Sequence, residues 1–112
     1  MITDGRLKKI LSQIVENIKT KYNPEKIILY GSFAYGVPDE NSDIDLLIIK
    51  ETSKRPLDRM ASVHRIVDIR DSSYPALLPI VLTPDEIKQR LEVGDQFIEG
   101  ILARGEALYA RQ

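Results

Sequence analysis

The chain has 112 residues, enough for one hydrophobic core with little room for a second function, and residues 1–112 are expected to form a single domain. Hydrophobic residues make up 43% and charged residues 29%, an ordinary globular balance, and the net charge of −1 gives no direct signal for nucleic-acid binding. No cysteine and one histidine, His64, exclude disulfides, cysteine nucleophiles and multi-histidine zinc sites, while the lack of a signal peptide or an apolar run near ~20 residues points to the cytoplasm and away from a membrane.

From about Asp4 to Tyr22, Leu7, Ile10, Leu11, Ile14, Val15 and Ile18 recur at the spacing of one buried helical stripe. Thr3 or Asp4 can cap this helix, and Asn23-Pro24 ends it. Lys26 to Tyr30 reads as a strand apolar on both faces, and therefore central. Gly31 to Gly36 turns away, with Phe33-Ala34-Tyr35 suited to a short helix, and Val37 to Ser42 is a polar loop. Asp43 to Lys50 is the second strand. Glu51 to Arg55 is a charged connector, and Pro56 suits the first position of a helix whose weaker stripe holds Leu57, Met60, Ala61, Val63 or His64, and Val67. Ile66 to Tyr74 stays open between strand character at Ile66, Val67 and Ile69 and turn chemistry at Asp71-Ser72-Ser73. Leu77 to Leu82 is a third strand, which Pro79 marks as an edge or an irregular start. Thr83, Pro84 and Glu86 form a capping box opening a helix over Asp85 to Glu92. Asp95 caps a last helix carrying Phe97, Ile98, Ile101, Leu102 and Leu108. Three short strands covered by helices make a small α/β layer structure.

The chemistry concentrates between the first two strands. Gly31-Ser32 closes the apolar run Ile27 to Tyr30, and such a turn can offer backbone N–H groups and a hydroxyl to phosphate oxygens. Asp43 and Asp45 stand at i and i+2 of the next strand, so both carboxylates point to one face. Two carboxylates at the mouth of an apolar central strand are costly unless a cation compensates them. They form half of a hard-cation site suited to Mg²⁺ carrying a nucleoside triphosphate.

Gly31-Ser32-Phe33-Ala34-Tyr35-Gly36, followed by Asn41-Ser42-Asp43-Ile44-Asp45-Leu46, resembles the signature of the minimal nucleotidyltransferases, small relatives of the polymerase-beta superfamily. Leu82 to Glu86, Asp95 to Ile98 and Gly105 to Tyr109 resemble the C-terminal half of the same proteins. The resemblance implies a nucleotidyltransferase-like α/β fold with a short mixed sheet of three or four strands. It implies transfer of a nucleoside monophosphate, AMP from ATP, to an acceptor hydroxyl. Gly31 and Ser32 would bind the β- and γ-phosphates, and Asp43 and Asp45 would be the catalytic carboxylates that ligate Mg²⁺. It further implies an antitoxin role beside a small helical HEPN ribonuclease, some members attaching AMP to a toxin tyrosine. A partner chain or a homodimer would complete the cleft. One departure stands out: family members add a third carboxylate from the next strand, and counting back from Thr83-Pro84 puts that position at Leu78, with Asp68 an alternative. A site short of its third acid also fits a catalytically weak antitoxin acting by binding, or a nucleotide-binding regulatory module.

Other residues carry blander expectations. A histidine can act as a general base, but the spacing of His64 between Met60 and Val67 favours packing. Lys50, Lys54 and Arg55 could touch triphosphate, yet follow the far end of the second strand and read as a solvated cluster. Tyr30 and Tyr35 could stack on a base, Tyr30 being better placed as core. Lys8, Lys9, Lys19 and Lys21 form the polar face of the first helix.

Overall fold

In the computed structural model, which describes residues 5–67 and 75–112, helix α1 (Gly5–Tyr22) leads into strand β1 (Lys26–Tyr30). A short helix α2 (Ser32–Tyr35), strand β2 (Ile44–Ile49), helix α3 (Pro56–Ile66) and strand β3 (Leu77–Leu82) follow. Helices α4 (Pro84–Glu92) and α5 (Gln96–Arg104) and strand β4 (Glu106–Ala110) complete the described elements.

The sheet runs β3-β2-β1-β4, with β1 antiparallel to both β2 and β4 and β2 parallel to β3. It is mixed and four-stranded. The interior strands are apolar on both faces because both faces are covered. Ile27, Leu29, Ile44, Leu46 and Ile48 pack with Ile10, Leu11, Ile14 and Ile18 of α1 and Val63 of α3. Ile28, Tyr30, Leu47 and Leu82 pack with Ile87 of α4 and Ile98 and Ile101 of α5. β3 is an edge strand, where Pro79 leaves no ladder partner unpaired.

The caps read from sequence are present. Thr83 Oγ1 accepts from the Glu86 N–H at 3.1 Å, and a Glu86 carboxylate oxygen accepts from the Thr83 N–H at 2.8 Å. An Asp95 carboxylate oxygen accepts from the N–H groups of Phe97 and Ile98.

Two expectations are corrected. Leu108 belongs to β4 and not to the last helix, which stops at Arg104. Leu108 lies one heptad beyond Ile101 and so continues the apolar stripe of α5 on paper, but the chain turns extended at Gly105 and docks beside β1. His64 is exposed on α3 and is not a packing residue. The segment left open in sequence falls largely on residues 68–74, so Asp68 lies outside the described residues.

Candidate active site

β1 and β2 are antiparallel neighbours, so the end of one meets the beginning of the other, and Tyr30 pairs with Asp45. The chain then leaves β1 through Gly31, whose φ of 77° is a left-handed conformation that favours glycine. A side chain at position 31 would have no space, because the Asp45 Oδ2 atom occupies it and Asp45 Cγ would lie 3.3 Å from the new Cβ. The carboxylate therefore rests directly on the glycine turn. α2 begins at Ser32, held by Gly31, whose carbonyl accepts from the N–H groups of Ala34 and Tyr35 at 3.0 and 3.1 Å. As first-turn residues, Ser32 and Phe33 have backbone N–H groups without an intrahelical partner.

The carboxylate of Asp45 is pushed above the usual range, first by burial and then by the negative charge of Asp43. β2 begins at Ile44, one residue later than expected, so Asp43 stands just before the strand and acts on Asp45, which lies on the face that β2 turns toward α4 and α5. Tyr30 shares that face: burial, Asp45 and then Tyr35 push its hydroxyl up to about 12. Its ring meets Phe97 edge-on at 5.7 Å. Tyr30 is thus a core side chain lining the floor of the site.

The next strand supplies no acid. β3 lies parallel to β2 with Leu78 directly beside Asp45, and Leu78 is 44% exposed. Among the described residues there is no cluster of three or more His, Cys, Asp or Glu side chains able to hold a metal. Two close carboxylates, one resisting ionisation, are oxygen donors suited to a hard divalent cation, so the residues present fit Mg²⁺ as a partial ligand set.

The other candidates sort by position. Lys50, Lys54 and Arg55 follow the opposite end of β2, where Lys50 Nζ lies 4.8 Å over the Tyr22 ring, Lys54 donates to Ser62 and Arg55 pairs with Asp58. His64 lies on α3, which covers the sheet face opposite Asp45. Lys8, Lys9, Lys19 and Lys21 are exposed on α1. A groove of about 430 Å³ between α1 and β4, lined by Lys8, Leu11, Val15, Lys19, Glu106 and Tyr109, belongs to that opposite side too, so concavity alone does not mark the carboxylate pair. Arg104 escaped the sequence reading; its guanidinium carbon lies 4.2 Å over the ring of Tyr35, just past the glycine turn. The only signal for it was a cation at the end of the last helix.

The four-stranded mixed sheet thus sets the Asp45 carboxylate against the Gly31 turn in a small α/β protein, with Asp43 acting on it. The chain belongs to the nucleotidyltransferase domain family, whose model matches residues 11–104. It is 34% identical over 109 residues to "Putative protein adenylyltransferase MJ1305" of Methanocaldococcus jannaschii, covering 94% of this chain and 73% of that one. It is 26% identical over 106 residues to "Putative protein adenylyltransferase MJ0604" of the same organism, covering 90% and 96%. A crystal structure described as "a putative nucleotidyltransferase" from Sulfolobus solfataricus shares the fold with a TM-score of 0.62 at 24% identity, over 95% of this chain and 82% of that one.

Gly31→Ala should disturb this site before it disturbs the core. The backbone at Gly31, with φ 77° and ψ −155°, lies in a region essentially confined to glycine and costs an L-residue about 1–3 kcal/mol, and the methyl group must displace the Asp45 carboxylate. Thermal unfolding should show a modest loss of stability, while calorimetric titration with ATP and Mg²⁺ should show a larger loss of binding.

Proposed function

We propose that this protein is a Mg²⁺-dependent adenylyltransferase that moves AMP from ATP to a hydroxyl on a partner protein. The observation that carries this reading is the Asp45 carboxylate lying against the Gly31 turn, with Asp43 acting on it electrostatically. Phosphate and cation would then share one small volume. In the proposed step the acceptor oxygen forms a bond to the α-phosphorus. The bridge to the β-phosphate breaks, its electron pair leaves on pyrophosphate, and the hydroxyl proton passes to water. Such transfers need alignment and charge neutralisation more than covalent participation by the protein. Gly31 and Ser32 would hold the β- and γ-phosphates, the backbone approaching closely because position 31 lacks a side chain. Asp43 and Asp45 would hold Mg²⁺, which when bound neutralises phosphate oxygens and polarises the phosphorus.

The adenylyl group and the protein acceptor are supported by the names of the curated relatives. Family resemblance adds a small helical HEPN-type ribonuclease as the partner and an antitoxin as the biological role. The test uses ATP labelled at the α- or the γ-phosphate, with Mg²⁺ and the protein encoded by the neighbouring gene. Label should reach protein from the α position alone and disappear when the cation is chelated; transfer from the γ position would replace this reading with a kinase.

A second reading is favoured by Leu78. With an exposed leucine beside Asp45 where a third acid would help to deprotonate the acceptor, turnover would be slow and the protein would act chiefly by binding its partner. That reading predicts that a chain carrying both Asp43→Asn and Asp45→Asn still neutralises a partner ribonuclease in cells.

A further inference from the structure

The two acids lie on one side of the glycine turn; the other side carries a cation. β1 sits between β2 and β4 in the sheet. Asp45 pairs with Tyr30 from the β2 side, and Glu106 pairs with Leu29 from the β4 side. Gly105 joins α5 to β4 in contact with β1. A Cβ there would meet Ile28 Cγ2 at 2.6 Å and the Leu29 carbonyl oxygen at 3.1 Å. The tight approach fixes the preceding residue, Arg104, beside the end of β1 from which Gly31-Ser32 departs.

The side chain of Arg104 continues in that direction. Its guanidinium carbon is 4.2 Å from the ring centre of Tyr35, the last residue of α2, whose own N–H is held by the Gly31 carbonyl at 3.1 Å. The Tyr35 phenol acts electrostatically on Tyr30, which also feels Asp45, so ring, turn and carboxylate belong to one cluster. Over an aromatic face the cation is held by the ring's quadrupole, and its N–H groups stay available at the edge of the plane. The Arg104 side chain is exposed and makes no hydrogen bond or ion pair with any described residue. Lys50, Lys54 and Arg55 cannot substitute for it, since they sit at the opposite end of β2.

We propose that Arg104, stacked on Tyr35, is a phosphate-binding residue of this site that grips the β- and γ-phosphates of the nucleotide from the side opposite Asp43 and Asp45. This rests on the adenylyltransferase reading given above. Guanidinium is the side chain suited to paired phosphate oxygens, and pyrophosphate gains negative charge as its bridge to the α-phosphate breaks. The arginine therefore serves the leaving group. Tyr35 is a positioning residue, acting only through Arg104.

The test compares binding of ATP and of AMP, each with Mg²⁺, by calorimetry on the full chain. Arg104→Met should weaken ATP binding about tenfold, the loss of a charge-assisted pair of hydrogen bonds, and leave AMP binding and the melting temperature unchanged. Arg104→Lys should recover part of the loss. Tyr35→Ala should reproduce it, and Tyr35→Phe, which keeps the ring, should not. Equal losses for ATP and AMP, or no loss for ATP, would overturn the role of Arg104 while leaving the adenylyltransferase reading intact. Failure of the unaltered protein to bind ATP, or binding insensitive to Asp43→Asn, would overturn both.

Discussion

Asp45→Asn is expected to abolish nucleotide transfer and, in the same protein, to raise stability at neutral pH. The activity loss follows from losing one of two carboxylates proposed to hold the cation that neutralises the triphosphate. A few kcal/mol of lost charge stabilisation lowers the rate by about 10³-fold. The stability gain follows from the raised pKa of Asp45, caused by burial and then by Asp43. A carboxyl whose folded pKa exceeds its unfolded value holds its proton longer in the native state. Stability is then lost as pH rises from the ordinary carboxylate range through the raised folded value, and the penalty is complete above it. Asparagine removes it. Melting temperatures across that range should converge at acid pH and separate at neutral pH, with Asp45→Asn the more stable there. Added Mg²⁺ should reverse the order, because a ligand at about 100 times its dissociation constant stabilises by about 2.7 kcal/mol, and only the unaltered chain keeps both ligands. A variant that is less stable at neutral pH without Mg²⁺ would contradict the assignment of Asp45 as an uncompensated charge.

The carboxylate pair and the glycine turn were legible because their requirements are local. Period-two alternation predicts one face for Asp43 and Asp45, although β2 itself begins at Ile44, and Gly31 closes an apolar run at a turn. The position opposite Asp45 could also be reached by counting, since the capping box at Thr83 fixes where β3 ends, and Leu78 does stand there. What escaped depended on partners distant in the chain. β4 is rich in alanine and leucine, with weak strand preference of its own; its identity comes from pairing with β1 across most of the sequence. Arg104 is unremarkable as a helix-end cation and gains its place only because Gly105 docks on β1. His64 was misjudged because helical spacing gives a residue's angle but not which angle faces the sheet: Arg59, Ser62 and Val63 are the buried residues of α3.

That buried arginine carries the largest stability effect expected in the chain. Arg59 is 5% exposed, yet its guanidinium makes four hydrogen bonds. Nε donates to the Lys54 carbonyl at 2.7 Å, and Nη1 donates to the Val81 carbonyl at 3.1 Å. Nη1 and Nη2 also donate to the two carboxylate oxygens of Glu86 at 2.7 and 3.2 Å. Glu86 is simultaneously the acceptor for the Thr83 N–H in the capping box, so one side chain ties α3 to the end of β3 and the start of α4. Arg59→Leu removes the guanidinium that donates to the Lys54 and Val81 carbonyls and leaves the Glu86 carboxylate with only the Thr83 N–H, and should cost about 3 kcal/mol, a fall in melting temperature of about 10 °C for a domain of this size. Glu86→Gln keeps the cap, since glutamine also accepts from the Thr83 N–H, and should cost less. It has a distinct pH signature. Glu86 is held below the ordinary carboxylate range, first by the hydrogen bonds from Arg59, so its contribution is present at neutral pH and is lost as pH falls through that lowered value. Acid unfolding of Glu86→Gln should therefore be shallower than that of the unaltered protein. Neither substitution touches the glycine turn, and below their melting temperatures both variants should bind ATP with unchanged affinity. A large loss of ATP binding by folded Arg59→Leu would mean that the α3 linkage sets the geometry of the carboxylate pair as well as the stability of the sheet.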